Sequence, residues 1–260
     1  MTRIAEGGKA EGPTAAEAVA HELATLILGQ LSPGEKLPSE AELAARYGVS
    51  RLTMREAVKM VAGRGLLEVS RGRRAVVREP NGAVFSDFLT AIVQYDSKGL
   101  FDLVELRLSL EVQSATLAAK RASRPAIAAI EAALQGMRVA EEELRSGRAP
   151  AGSELRFQGY DMGFHEAVAL ASGNRILVYL FEAMADPLQE SFFISRRGNE
   201  LRGHTLADTI AAHQRILDAI TQGSPRKAGE AMRVHLENTE GDIRAALSLL
   251  SATPSARIAT

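Results

Sequence analysis

The sequence predicts a mainly α-helical protein, with a small helix-and-hairpin part followed by a larger all-α bundle. Three observations carry that expectation. Apolar residues recur at three- and four-residue spacings through most of the 260 residues. Strand-like runs are confined to residues 66–77. Positive charge is concentrated: Arg46 to Arg78 hold nine Lys or Arg against two acids, Glu56 and Glu68, and leave the rest of the chain with 22 basic and 30 acidic side chains. A net charge of −1 therefore conceals a basic segment joined to an acidic remainder. That split suits a chain with an anion-binding part, and it is equally compatible with a solvated basic face.

At 46% hydrophobic residues the chain can bury a core. The absence of cysteine excludes disulfides, thiolate metal sites and a cysteine nucleophile, and points to a cytoplasmic setting. No apolar run approaches the roughly 18 residues of a membrane helix, so no membrane partner is expected. Residues 1–14 lack the apolar stretch of a secretion signal and read as a disordered tail. The expected organisation is a first domain over 15–78, a linker over 79–84, a second domain over 85–250 and a tail over 251–260.

The first helix is expected from Ala15 to about Gln30, where Val19, Leu23, Leu26 and Ile27 share a face, and Leu31 to Gly34 end it. Ser39 before Glu40 and Glu42 signals a second helix start, and Gly48 its stop. Ser50 then caps a third helix running to about Ala62. Its Met54, Val58 and Val61 face inward, while Arg51, Arg55 and Lys59 repeat every four residues. A helix, a glycine-marked turn and a second helix with a basic stripe is the layout of a recognition helix in a major groove. Leu66 to Val69 and Ala75 to Val77 form a hairpin whose tip carries Arg71, Gly72, Arg73 and Arg74. Such a wing can follow a DNA backbone or enter a minor groove; its alternative is a solvated turn.

The stretch PGEKLPSEAELAARYGVSRLTMREAVKMVAGRGLLEV resembles the winged helix-turn-helix of GntR-superfamily transcription regulators. Pro33-Gly34, Leu37 to Glu40, Gly48 to Arg51, Arg55 to Ala57 and Gly65 to Leu67 fall in the family's order. The resemblance implies DNA contact by Ser50, Arg51, Thr53 and Arg55, and by the wing at Arg71, Gly72 and Arg73. Two positions depart from the pattern: Ala41 stands where a basic residue is common, and the wing lacks a second glycine.

Beyond Val84 helical patterns dominate. Breaks at Ser97 to Gly99, Ser123 to Pro125, Ser146 to Gly152, Gly173-Asn174, Arg197 to Asn199 and Gly223 to Pro225 leave six or seven helices. Of five histidines, His21 lies in the first helix and His204 before an expected helix start, where it reads as a surface or capping residue. Asp161 and His165, four apart, share a helix face; His213 and His235 lie on two further helices, each flanked by apolar residues. One Asp and three His can bind Zn, Ni, Mn or Fe, and the same pattern fits three hydrogen-bonded core histidines. Glu166 follows His165 as in hydrolytic zinc motifs, but Ala169 occupies the place of the second histidine, which excludes that peptidase pattern.

Four segments, DLVELRLSLEVQSATLAA, DMGFHEAVALASGN, HQRILDAI and AMRVHLENT, together resemble the FCD-type effector domain of FadR-like GntR regulators. The resemblance implies a divalent metal ion held by Asp161, His165, His213 and His235, a small carboxylic acid effector contacted by Arg107, and Asn174 as a further effector-site residue. By spacing alone, Arg107 and Glu111 are an i,i+4 pair and Asn174 a helix cap.

The resulting expectation is a homodimeric, cytoplasmic transcription regulator that is not an enzyme. Its winged helix-turn-helix binds a palindromic double-stranded DNA operator, and its all-α effector domain binds metal and acid. A metalloenzyme acting on a small organic acid and a ligand-free helical dimerisation module are the competing expectations.

Overall fold

The computed structural model describes residues 12–79, 81–95, 98–147 and 152–252. The tail expected over residues 1–14 lies mostly outside them, as does that over 251–260. Contacts divide the chain between Val84 and Phe85 into two compact units. Among the described residues there are ten helices and one hairpin.

In the first unit, α1 (Ala15–Gln30) starts at a capping box in which Thr14 and Glu17 satisfy each other's backbone amides. α2 (Glu40–Tyr47) starts the same way at Ser39 and Glu42. It stops at Gly48, whose left-handed φ of 65° a side chain would resist. α3 (Arg51–Gly63) follows at once, capped by Ser50. Leu23, Leu43, Met54, Val58 and Val61 are buried between the three helices, each burial stabilising the unit by roughly 1.5–3 kcal/mol.

β1 (Leu67–Glu68) and β2 (Val76–Val77) pair antiparallel, with Leu67 opposite Val77. Residues 34–37, given no strand by the sequence reading, add a further edge to this hairpin. The Gly34 amide donates to the Val77 carbonyl, the Val77 amide to Glu35, and the Leu37 amide to Ala75, each at 2.8 Å. The wing is thereby tied to the segment joining α1 to α2.

The second unit comprises α4 (Ala83–Tyr95), α5 (Lys98–Arg121), α6 (Arg124–Arg145), α7 (Ser153–Ala171), α8 (Arg175–Leu201), α9 (Leu206–Thr221) and α10 (Pro225–Ala252). Helix α10 packs on α5, α8 and α9, and α6 packs on α7 and α9. Ile130, Leu134, Met137, Phe157, Phe164, Ile216 and Leu236 are buried in one cluster. Leu103, Val104, Met184, Leu188 and Ile243 are buried in a second.

One expected break is absent. Helix α8 continues through Arg197, Gly198 and Asn199 and ends at Arg202. A Cβ on Gly198 would lie 1.7 Å from the Asp242 carbonyl oxygen, so this glycine lets α8 and α10 approach closely instead of turning the chain. Gly99 has the same role: it lies inside α5, and a Cβ there would meet the Ile92 carbonyl at 2.7 Å.

Candidate functional site

In the first unit Arg51, Thr53, Arg55 and Lys59 lie on the helix expected to carry them, with Arg51, Arg55 and Lys59 exposed. The Ser50 hydroxyl accepts from the Thr53 amide at 3.0 Å and lies 2.8 Å from the Thr53 hydroxyl. These two side chains fix the helix start and keep hydrogen-bonding capacity for a phosphate at its positive end. Arg51 makes no ion pair among the described residues, whereas Arg55 Nε donates to Glu40 Oε2 at 3.0 Å. At the wing tip the Arg73 amide donates to the Ser70 carbonyl at 3.1 Å, closing a turn with Gly72 at φ 74°. Arg71 and Arg73 project from that turn as exposed side chains.

In the second unit the four residues singled out as ligands come together. Asp161 and His165 lie one turn apart on α7, His213 lies on α9 and His235 on α10. His165 Nε2 is 3.2 Å from His213 Nε2 and 3.3 Å from His235 Nε2, and Asp161 Oδ1 is 3.2 Å from His213 Nε2. The three histidines are buried at 1%, 0% and 8% exposure. Phe164 meets His213 edge-on at 4.6 Å, and Phe181 stacks along His165 at 6.4 Å, which walls the imidazoles with apolar rings.

The outer ring nitrogens determine what the inner ones can do. His213 Nδ1 lies 2.9 Å from the Thr209 carbonyl, which only accepts, so the ring proton sits on Nδ1 and Nε2 carries a lone pair. His165 Nδ1 bonds Glu111 Oε2, a carboxylate, so His165 Nε2 also carries a lone pair. In the neutral rings, His213 Nε2 thus faces a second lone pair and a carboxylate oxygen, each at 3.2 Å. A second proton on His213 would answer only one of them. A cation answers all: with metal–nitrogen bonds of about 2.0–2.1 Å, ligand atoms stand roughly 2.9–3.4 Å apart in octahedral or tetrahedral geometry. The three histidines form a group able to hold a metal ion, and Asp161 adds a carboxylate to it.

The two neighbouring carboxylates are ionised, and one ring is held neutral. Burial pushes Glu111 upward, but Arg107 and His165 outweigh it and bring its pKa down to about 2. Asp161 is also held below the ordinary carboxylate range; burial opposes ionisation and is overcome by His213, His165 and Arg107. Burial first, then the neighbouring His213, His165 and Arg107, holds His235 well below the usual imidazole range, so its ring is neutral and available as a ligand. Arg107, expected as half of an i,i+4 pair, donates from Nε to Glu111 Oε1 at 2.6 Å with the two side chains 8% and 3% exposed. It is a buried pair rather than a surface one. Breaking such a pair costs about 3–5 kcal/mol, against tenths for an exposed pair.

Residues 15–77 match the family "Bacterial regulatory proteins, gntR family", and residues 102–238 match the FCD domain. The chain belongs to the GntR family, with an FCD domain. It is 36% identical to the Uxu operon transcriptional regulator of Escherichia coli K12, over 83% of this chain and 80% of that relative. It is 31% identical to the transcriptional regulator LutR of Bacillus subtilis, over 82% and 93%. It is 29% identical to the Glc operon transcriptional activator of Escherichia coli K12, over 87% and 88%. Among solved structures it is similar to a Streptococcus agalactiae GntR, with TM-score 0.65 and 29% identity over 86% of this chain and 97% of that one. GntR-family regulators bind DNA operators, and this member is accordingly a transcription regulator and not an enzyme. No described helix is long and apolar enough to cross a membrane.

A cavity of about 280 Å³ in the FCD domain of this regulator is lined by Arg107, Asp161 and His235. Asn174 is not on its wall: it caps α8, with Oδ1 accepting from the Ile176 amide at 3.1 Å. His204, expected as a surface or capping residue, lies on the wall, while Thr205 caps α9; three further wall residues, Arg196, Asn199 and Asp242, carried no signal that sequence reasoning used. Two had one available. Asn199 continues the face of α8 that holds Ser191 and Ser195, and Asp242 follows His235 by seven residues on one face of α10. Glu111, noted only as a partner for Arg107, is the carboxylate behind His165.

Proposed function

We propose that this regulator is a homodimer that binds a palindromic double-stranded DNA operator and responds to a small carboxylic acid through a divalent metal site. The observation that carries the reading is the set of unanswered contacts at His213 Nε2, where Asp161 Oδ1 and His165 Nε2 both approach to 3.2 Å. Asp161, His165, His213 and His235 would hold the ion. Bound there, a divalent ion supplies open coordination positions and positive charge for a carboxylate. The donor set suits Zn, Ni, Mn or Fe alike.

Arg107 provides the second contact. Its Nε is engaged by Glu111, while its terminal nitrogens make no hydrogen bond among the described residues and its side chain lines the cavity. A guanidinium held by one edge presents its other donors to a carboxylate, which favours bidentate recognition. DNA is engaged by Ser50, Arg51, Thr53 and Arg55 at the start of α3 and by Arg71, Gly72 and Arg73 at the wing. A two-fold dimer doubles those phosphate contacts and matches a palindrome. Helix α4 supports a dimer: Phe85, Phe88, Ile92 and Tyr95 form an exposed apolar stripe, which a second copy would cover. The experiment is elemental analysis of the purified chain beside its His213→Ala variant. Metal in the first and none in the second supports the reading, and equal metal in both removes it.

A further inference from the structure

We infer that the effector is a polyhydroxylated monocarboxylate, an acid of the aldonic type, whose distal hydroxyls are read by Ser195, Arg196, Asn199 and Asp242. This rests on the carboxylate-binding reading above and names the class of acid. The cavity of about 280 Å³ is large beside the roughly 30 Å³ that one water occupies in the liquid. A two-carbon acid held at Arg107 and the metal ligands leaves most of it unfilled.

The remainder of the wall is mixed: Phe157, Met162, Leu188, Phe192 and Leu206 supply apolar surface, and polar side chains face it. The hydroxyls of Ser195 and Thr209 and the amide of Asn238 make no hydrogen bond among the described residues. Arg196 Nη1 is buried without a partner among the described residues, although Nη2 lies 3.2 Å from Glu154 and Nε 3.7 Å from Glu200. The charge of Arg196 is thus answered by two carboxylates while one donor is left over. That donor calls for a neutral acceptor. Asp242, buried at 5% exposure, is held by Arg202 at 2.6 Å and Asn199 at 3.4 Å, and keeps acceptor capacity.

A hydroxyl both accepts and donates, so a chain of hydroxyls can take the Arg196 donor and return protons to Asp242 and the Asn199 carbonyl. An alkyl acid satisfies neither side. A second ligand carboxylate would meet Asp242 and Asp208 on the same wall, a like-charge contact. Arg215 is the lining arginine without an ion pair among the described residues, and it is exposed. It is the group a dicarboxylate would use, which sets the third arm of the test. Sites built to hydrogen-bond a hydroxyl reject analogues lacking it far more strongly than apolar pockets reject a methylene.

The test is calorimetric titration of the full-length, zinc-loaded protein with D-gluconate, D-galactonate and D-mannonate, with glycolate and with adipate. Glycolate keeps the carboxylate and 2-hydroxyl, so it matches the aldonic acids at the metal and at Arg107 and lacks the distal hydroxylated carbons, while adipate keeps a six-carbon chain without hydroxyls. The best aldonic acid should bind at least about tenfold more tightly than glycolate or adipate. Ser195→Ala and Asn199→Leu should each weaken it several-fold while leaving glycolate unchanged; Ser195→Ala removes one oxygen and keeps the helix. Glycolate or adipate binding as well as every aldonic acid overturns the inference and leaves the carboxylate reading standing. No response to any acid overturns both.

Discussion

His165 Nδ1 rests on Glu111 Oε2, a carboxylate supplied 54 residues earlier in the chain by α5. The contact fixes the tautomer that turns the His165 lone pair toward His213 and His235, and the other oxygen of the same carboxylate holds Arg107 at 2.6 Å. Such a carboxylate behind a ligating imidazole typically contributes about 10–100-fold in metal affinity. Glu111→Gln should therefore weaken zinc by about that factor in competition with a chelating dye. Unchanged affinity would show that Glu111 serves only Arg107.

Asp161→Asn tests the proposed fourth ligand separately from the histidines. It removes the charge while keeping one acceptor oxygen beside His213, so metal should bind more weakly rather than be lost. His213→Ala should lose it. Parallel zinc titrations of the two variants distinguish this from a three-histidine site, in which Asp161→Asn would leave affinity unaltered.

Acid should destabilise the metal-free second unit in two stages. His235 is held well below its ordinary value of 6.5. The unfolded chain therefore binds this proton first, and stability falls as pH drops below 6.5. Glu111, lowered to about 2 from 4.5, contributes stability that is fully present above 4.5 and is lost as pH falls toward 2. Thermal melts of stripped protein from neutral to acid pH should show both losses. Bound zinc should offset the upper one until protons displace it. A flat profile between pH 7 and 5 would contradict the assignment of His235 as a buried neutral ring.

On the face proposed to bind DNA, Arg51 has no ion pair among the described residues, whereas the exposed Arg55 is held by the half-buried Glu40 at 3.0 Å. With duplexes selected from a random pool, Arg51→Ala should weaken binding by about 1–3 kcal/mol if it reads a base edge. If it contacts phosphate, it should instead reduce the salt slope by about one. Glu40→Gln should tighten binding, because it frees Arg55 and removes a negative charge near the backbone. Weaker binding by Glu40→Gln would mean that the ion pair positions Arg55 for DNA.

Gly198→Ala tests the α8–α10 contact. The added Cβ would fall 1.7 Å from the Asp242 carbonyl oxygen, so the helices must separate. Overpacking of this kind costs about 1–3 kcal/mol, and a melt of the variant should show it. No loss would mean that the two helices slide apart freely.

The helices of both units were largely legible because capping residues and apolar spacing are local. Thr14, Ser39, Ser50 and Thr205 all cap helices by accepting from a backbone amide within the first turn. The site was legible only in part. Asp161 and His165 share a helix face by spacing, but nothing local says that α9 and α10 bring His213 and His235 to it; that came from resemblance. Glu111 was legible only as the i,i+4 partner of Arg107, because that spacing does not report burial or the contact with His165. Gly198 read as a break because sequence does not distinguish a glycine needed for a turn from one needed for a neighbouring helix.

The most direct measurement of the central claim is calorimetry of an aldonic acid into the stripped full-length chain before and after reloading with zinc. The account expects about one zinc per chain and acid binding only in the loaded protein, abolished by His213→Ala and weakened by Arg107→Met. Acid binding that is indifferent to zinc, or a chain that takes up no metal, would contradict it.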